Sequence, residues 1–167
     1  MISTAKTSSS VSDESAAPEW PKTGNPHILL AGGAGYIGSH TVVCLLASGY
    51  DVTIADNLVN SNEESLRRVR RITGCDESRL RFYKADLCNT EELERVFATS
   101  PKFDACIHFA GLKAVGESVQ LPLLYYQNNL GSTINLLEMM GKYNCRSIVF
   151  SSSATVSKLC SSFLMFS

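Results

Sequence analysis

The sequence has 167 residues, a formal net charge of −1, and 44% hydrophobic against 19% charged residues. That length supports one domain with a real core, and the near-neutral balance gives no electrostatic case for a nucleic-acid or membrane partner. No apolar stretch reaches the ~20 residues needed to cross a bilayer.

Residues 1–25 are Ser-rich, carry Asp13, Glu14 and Glu19, and are expected to form a disordered tail. His27 to Ala31 is a short apolar run ending in glycines, as in a buried strand entering a tight turn. A helix is expected from Tyr36 to Ser48, with Ile37, Thr41, Val42, Leu45 and Leu46 recurring at helical steps and Gly49 at its stop. Asp51 to Ala55 reads as a second strand. Asn62 to Gly74 reads as a solvated helix with Leu66, Val69 and Ile72 on one side. Leu80 to Lys84 is a third strand, and Asn89 with Glu92 forms a capping-box pattern at the next helix start. Asp104 to Phe109 is a fourth strand. Tyr126, Leu130, Ile134 and Leu137 mark a long helix to about Lys142, and Arg146 to Ser151 is a fifth strand. Strands alternating with helices predict an α/β Rossmann-type doubly wound parallel sheet of about five strands.

The cysteines at 44, 75, 88, 106, 145 and 160 form no C-x-x-C pair and no zinc spacing. Free thiols in a reducing cytoplasm, and no metal site, are expected. His108 lies within a strand and reads as a core histidine. His40 lies in the first helix with no evident partner.

Between the first strand and first helix stands Gly32-Gly33-Ala34-Gly35-Tyr36-Ile37-Gly38. It fits G-x-x-G-x-x-G from Gly32 and G-x-G-x-x-G from Gly33. Such glycines permit a tight turn, close approach of the backbone to a pyrophosphate, and close packing of helix on strand. The helix N-terminus then offers free N–H groups to phosphate. Asp56 ends the second strand, 21 positions after Gly35. A carboxylate there suits adenosine ribose hydroxyls and repels a 2′-phosphate, so NAD is expected rather than NADP. Asp86 follows the third strand, where either a ligand role or a turn-capping role fits.

Ile107-His-Phe-Ala-Gly-Leu-Lys-Ala-Val-Gly-Glu-Ser-Val119, Tyr125-Tyr-Gln-Asn-Asn129 and Phe150-Ser-Ser-Ser-Ala-Thr-Val156 closely resemble UDP-glucose (UDP-galactose) 4-epimerases of the extended short-chain dehydrogenase/reductase family. The resemblance spans about Pro26 to Val156. It implies that Tyr36 and Ile37 meet the NAD pyrophosphate. Asp56, Asn57, Leu58, Val59, Asn60 and Ser61 would hold the adenosine ribose, and Asp86 and Leu87 would flank the adenine. Phe109, Ala110, Gly111, Leu112 and Lys113 would line the path to the nicotinamide ribose, with Asn128 a further cofactor contact. Ser153 would bond the sugar's 4-hydroxyl, with Ala154 and Thr155 near the substrate. Taken alone, Lys113 fits a solvated loop lysine and Asn128 a packing role equally well.

The resemblance also implies a reaction: inversion at C4 of a UDP-sugar through a 4-keto intermediate, with a Tyr-x-x-x-Lys pair as base. The residues four places after Tyr36, Tyr50, Tyr83, Tyr125, Tyr126 and Tyr143 are His40, Ile54, Leu87, Asn129, Leu130 and Ser147. None is lysine. Residues 26–156 therefore read as an incomplete NAD-binding domain, residues 157–167 as a tail unlike the family, and the 167-residue chain as inactive. The alternatives are a non-catalytic NAD-binding or regulatory fragment, or another nucleotide-sugar epimerase or dehydratase of the extended family. A UDP-sugar is the implied substrate partner, and homodimerisation is left open.

Overall fold

The continuous apolar run of the first strand calls for a sheet covered on both sides. In a computed structural model describing residues 24–151, β1 (His27–Ala31) sends Ile28 and Leu30 to one face and Leu29 and Ala31 to the other. Ile28 and Leu30 join Val42 and Leu46 of α1 (Tyr36–Ala47) and Leu66 and Val69 of α2 (Glu64–Thr73). Leu29 and Ala31 join Leu93, Val96 and Phe97 of α3 (Thr90–Thr99), with Leu136, Met139 and Met140 of α5 (Pro122–Lys142). A strand buried on both faces reads as a continuous apolar run, which is the habit of parallel sheets.

The remaining elements are β2 (Asp51–Asp56), β3 (Leu80–Lys84), β4 (Ala105–His108), α4 (Val115–Gln120) and β5 (Ser147–Phe150). All pairings are parallel, in the order β3-β2-β1-β4-β5. The expected doubly wound α/β sheet is present. Strand order reverses between β1 and β4, and ligands of open α/β sheets bind beyond the strand ends at such a switch point. No helix among the described residues is long and apolar enough to cross a membrane.

Several local expectations need correction. Ile72 does not share the buried face of α2: it is 69% exposed, while Leu66 and Val69 are buried. Successive three-residue steps drift backward by about 60° each on a 3.6-residue helix, so the third residue leaves the stripe. On α5, Tyr126, Leu130, Ile134 and Leu137 all face outward, and Ser132, Leu136, Met139 and Met140 are buried instead. That helix is apolar on two faces, and periodicity alone does not say which one meets the sheet. The six-residue α4 has no counterpart among the expected elements; it buries no side chain and so leaves no apolar stripe to read. Asn89 caps α3 as expected, its Oδ1 accepting from Glu91 N–H and Glu92 N–H. Glu92, however, does not close the box on Asn89 N–H, which donates to the Asp86 carbonyl. Its Oε2 accepts from Asp86 N–H at 2.8 Å.

Two buried histidines are expected to make the fold sensitive to acid. Thr133 Oγ1 donates to the Asn129 carbonyl at 2.8 Å, so it accepts from His108 Nε2–H at 3.0 Å, and His108 is held as the neutral Nε2–H tautomer. Burial lowers its pKa from the ordinary 6.5. His27 is lowered chiefly by burial and then by the Arg81 charge, against opposing contributions from Asp51, the Pro101 carbonyl and Asp104. The unfolded chain therefore binds more protons than the folded one once pH drops below about 6.5. The contribution of the two imidazoles is complete above that pH and is lost as pH falls through the lowered folded values. Urea denaturation midpoints are expected to fall between pH 7.5 and pH 5.5, and less steeply in His108→Leu. An equally steep fall in the variant would remove His108 from this account.

Candidate functional site

At the switch point the turn after β1 and the loop after β4 are joined by direct backbone contact. Gly32 has φ +80, and a Cβ there would lie 2.6 Å from the backbone nitrogen of Ala110. The turn after β1 and the loop after β4 therefore touch main chain to main chain. A Cβ on Gly38 would come within 2.5 Å of the Gly32 oxygen and 2.7 Å of Gly33 Cα, so the first turn of α1 rests directly on the turn. Gly33 faces the Ile54 side chain at 2.9 Å. Gly35 differs from these three. Its Cβ would meet only the Gly32 oxygen, at an ordinary 3.5 Å.

Packing thus demands glycine at 32, 33 and 38 but not at 35. Gly35 is the N-cap of α1 and brings no side-chain cap to its first turn. The amides of a helix's first turn have no intrahelical acceptor. Tyr36 and Ile37, the first residues of that turn, are exposed. Open space beside uncapped helix amides is what an approaching pyrophosphate requires.

Asp56 stands next to this turn at the end of β2 and is 5% exposed. Its Oδ2 accepts from Ala34 N–H at 3.0 Å. Its Oδ1 accepts from Leu58 N–H at 2.9 Å and from the Ser61 hydroxyl at 2.8 Å. One carboxylate thereby binds the glycine turn to the loop at 57–61. Within that loop Asn57 Oδ1 accepts from Val59 N–H, and Val59 and Asn60 are exposed. Leu58 holds φ +63, a strained value for a branched side chain. Ser65 adds a tie from α2, donating to the Ala34 carbonyl at 2.8 Å.

The loop after β3 contains Asp86, whose Oδ1 accepts from Cys88 N–H at 2.8 Å. This is the turn-capping role that its position allowed. Leu87 is 4% exposed and packs in the core beside Leu93 and Leu136. Its side chain is therefore turned away from any ligand, and its carbonyl accepts from Asn135 Nδ2 at 3.0 Å. The Cys88 thiol, raised in pKa by burial and then by the Asp86 charge, stays protonated at neutral pH and donates to the Asn128 carbonyl at 3.5 Å. The loop after β4 carries Phe109, Ala110, Gly111, Leu112 and Lys113. Phe109 N–H donates to the Ala31 carbonyl, and Lys113 is exposed. Asn128 Nδ2 donates to Asn129 Oδ1 at 3.0 Å. Ser153, Ala154 and Thr155 lie outside the described residues, as do the tail at 157–167 and all of the N-terminal tail but its last two positions.

A separate groove of about 680 Å³ runs along α2 and β3, lined by Leu66, Arg67, Arg70, Arg81 and Phe82 among others. Its lining includes none of the loop residues just described. Sequence reasoning missed Ser65, Asn129 and Asn135 as builders of these loops. A signal was present for the asparagines, because asparagine is a poor helix former and competes for backbone hydrogen bonds; α5 carries three of them.

The family described as NAD dependent epimerase/dehydratase matches residues 28–161. The chain belongs to that family. Curated relatives within it include UDP-glucose 4-epimerase of Bacillus subtilis (strain 168), 60% identical over 129 residues. UDP-glucose 4-epimerase 2 of Arabidopsis thaliana is 56% identical over 129 residues. Each alignment takes in 77% of this chain and 37% of the relative, so this epimerase/dehydratase chain spans just over a third of their length. The UDP-glucose 4-epimerase of Bifidobacterium longum, solved with NAD+ and UDP, superposes with a TM-score of 0.73 at 51% identity, over 78% of this chain and 38% of that one. The Thermus thermophilus UDP-glucose 4-epimerase, solved with NAD, gives 0.65 at 34% identity, over 76% of this chain and 37% of that one.

Proposed function

We propose that this chain is the cofactor-binding part of a UDP-sugar 4-epimerase. In this reading Gly32, Gly35, Tyr36, Ile37 and Gly38 cradle the pyrophosphate of NAD. Asp56 and residues 57–61 hold the adenosine ribose, residues 86 and 87 flank the adenine, and residues 109–113 with Asn128 guide the nicotinamide half. The observation that carries it is Gly35, a glycine that packing does not require, set at an uncapped helix start beside a buried carboxylate. Bound NAD supplies a reversible hydride acceptor. The chain's own residues bind it, orient it and, through Asp56, discriminate against a 2′-phosphate.

The sugar-facing residues in this reading are Ser153, Ala154 and Thr155, with a UDP-sugar as substrate and a cytoplasmic setting consistent with the free thiols of Cys44, Cys75, Cys88, Cys106 and Cys145. No tyrosine in the 167 residues has a lysine four places on. The polypeptide of this length is therefore expected to bind NAD without interconverting UDP-galactose and UDP-glucose. Calorimetric titration is expected to give binding to NAD and, from charge repulsion at Asp56, at least about tenfold weaker binding to NADP. Equal affinity for the two would refute the role of Asp56. Epimerase turnover above that of a Ser153→Ala control would refute the inactivity.

A further inference from the structure

The loops that form the two ends of the site are both held by one helix. Asn129 of α5 grips the loop after β4 in both directions. Its Oδ1 accepts from Leu112 N–H at 2.8 Å and its Nδ2 donates to the Leu112 carbonyl at 3.0 Å. The side-chain amide thus pairs with this backbone as a neighbouring strand would. Gly111 permits the approach, since a Cβ there would lie 3.3 Å from Asn129 Oδ1. The gripped loop is the one whose Ala110 backbone abuts Gly32. The Thr133 hydroxyl, bridging His108 to the Asn129 carbonyl, fastens this stretch of α5 to the end of β4.

Six residues on, about 9 Å along the helix axis, Asn135 grips the other loop. Its Nδ2 donates to the Leu87 carbonyl at 3.0 Å and the Cys88 carbonyl at 3.1 Å. Between the two asparagines, and just beyond them, Ser132, Leu136, Met139 and Met140 bury α5 against the sheet. The helix is therefore a fixed beam with one amide clamp for each loop.

We infer that Asn129 and Asn135 are positioning residues that set the two halves of the dinucleotide site separately, Asn129 the nicotinamide half and Asn135 the adenine half. Neither touches the cofactor in this account; each acts through the backbone it holds. The inference rests on the NAD-binding reading above.

Asn129→Leu and Asn135→Leu keep the branched shape and the number of heavy atoms and remove the hydrogen bonds. With the 167-residue chain, calorimetry against NAD and against ADP separates the halves, because ADP keeps both phosphates and lacks only the nicotinamide riboside. Asn129→Leu is expected to weaken NAD about tenfold, the order of one or two lost hydrogen bonds, and ADP by less than about twofold. Asn135→Leu is expected to weaken both by about tenfold. Hydrogen exchange without nucleotide provides the second measurement. The Leu112 amide should exchange faster only in Asn129→Leu, and the amides of 86–88 faster only in Asn135→Leu, with β1 and β2 protected in both. Equal weakening of NAD and ADP by Asn129→Leu, or loops that loosen together or not at all, would overturn the inference. Parent protein that binds neither nucleotide would refute the NAD reading, and with it the nicotinamide and adenine assignments, while the exchange pattern still decides whether the clamps act separately.

Discussion

Gly38→Ala is expected to unseat α1 from the glycine turn, destabilising the fold by about 2 kcal/mol and abolishing NAD binding. The atoms that its Cβ would meet, at 2.5 and 2.7 Å, belong to the backbone of Gly32 and Gly33 and cannot rotate aside. Overpacking of this kind costs roughly 1–3 kcal/mol, only partly offset by the ~1 kcal/mol that alanine gains over glycine within a helix. Gly35→Ala makes the decisive contrast. Its Cβ meets one atom at 3.5 Å, so urea denaturation should show a loss of at most about 1 kcal/mol, the cost of alanine at an N-cap, while NAD affinity should fall by at least about tenfold because the methyl occupies the space required for the pyrophosphate. A Gly35→Ala protein that binds NAD like the parent would place the phosphates elsewhere.

Asp56→Ala should have the next largest effect. It leaves the Ala34 and Leu58 amides and the Ser61 hydroxyl without their acceptor at a position 5% exposed. Unsatisfied buried donors cost about 1–3 kcal/mol each, less where water can enter, so a total loss of about 3 kcal/mol is expected in urea denaturation. Asp56→Asn retains the shape but turns an amide NH2 toward one set of donors. It should lose less stability than the alanine variant and should narrow the NAD preference over NADP, since the repelling charge is gone. Unchanged selectivity in Asp56→Asn would mean that the carboxylate serves only to bind the glycine turn to the loop after β2.

The two experiments address different halves of one question. The glycine pair distinguishes a turn required by packing from a turn required by a ligand. The aspartate pair distinguishes a structural carboxylate from a selective one. Neither depends on a catalytic base, so both can be read on the 167-residue chain.

Sequence alone determined the parts of this protein whose causes are local or periodic. A strand, glycine turn and helix are adjacent along the chain, and each has a short-range signature, so the strand–turn–helix unit from Gly32 to Gly38, with Asp56 beside it, that is proposed to hold NAD was legible in the sequence. The repeated strand and helix periods carried the parallel α/β class, and the run from Ile107 to Val119 carried the family. Only the tertiary structure decided which faces and which distant residues meet. It turned Leu130 and Ile134 outward and Leu136 inward, because a helix apolar on two sides holds no record of where the sheet lies. It sent Glu92 to Asp86 N–H, because the turn at 86–89 had already supplied an acceptor for Asn89 N–H. It joined Asn129 to Leu112 across 17 positions and Asn135 to Leu87 across 48, contacts that no local pattern encodes. The glycine turn that first identified the site is thus a local feature, while the spacing of the loops around it is set by a helix far along the chain.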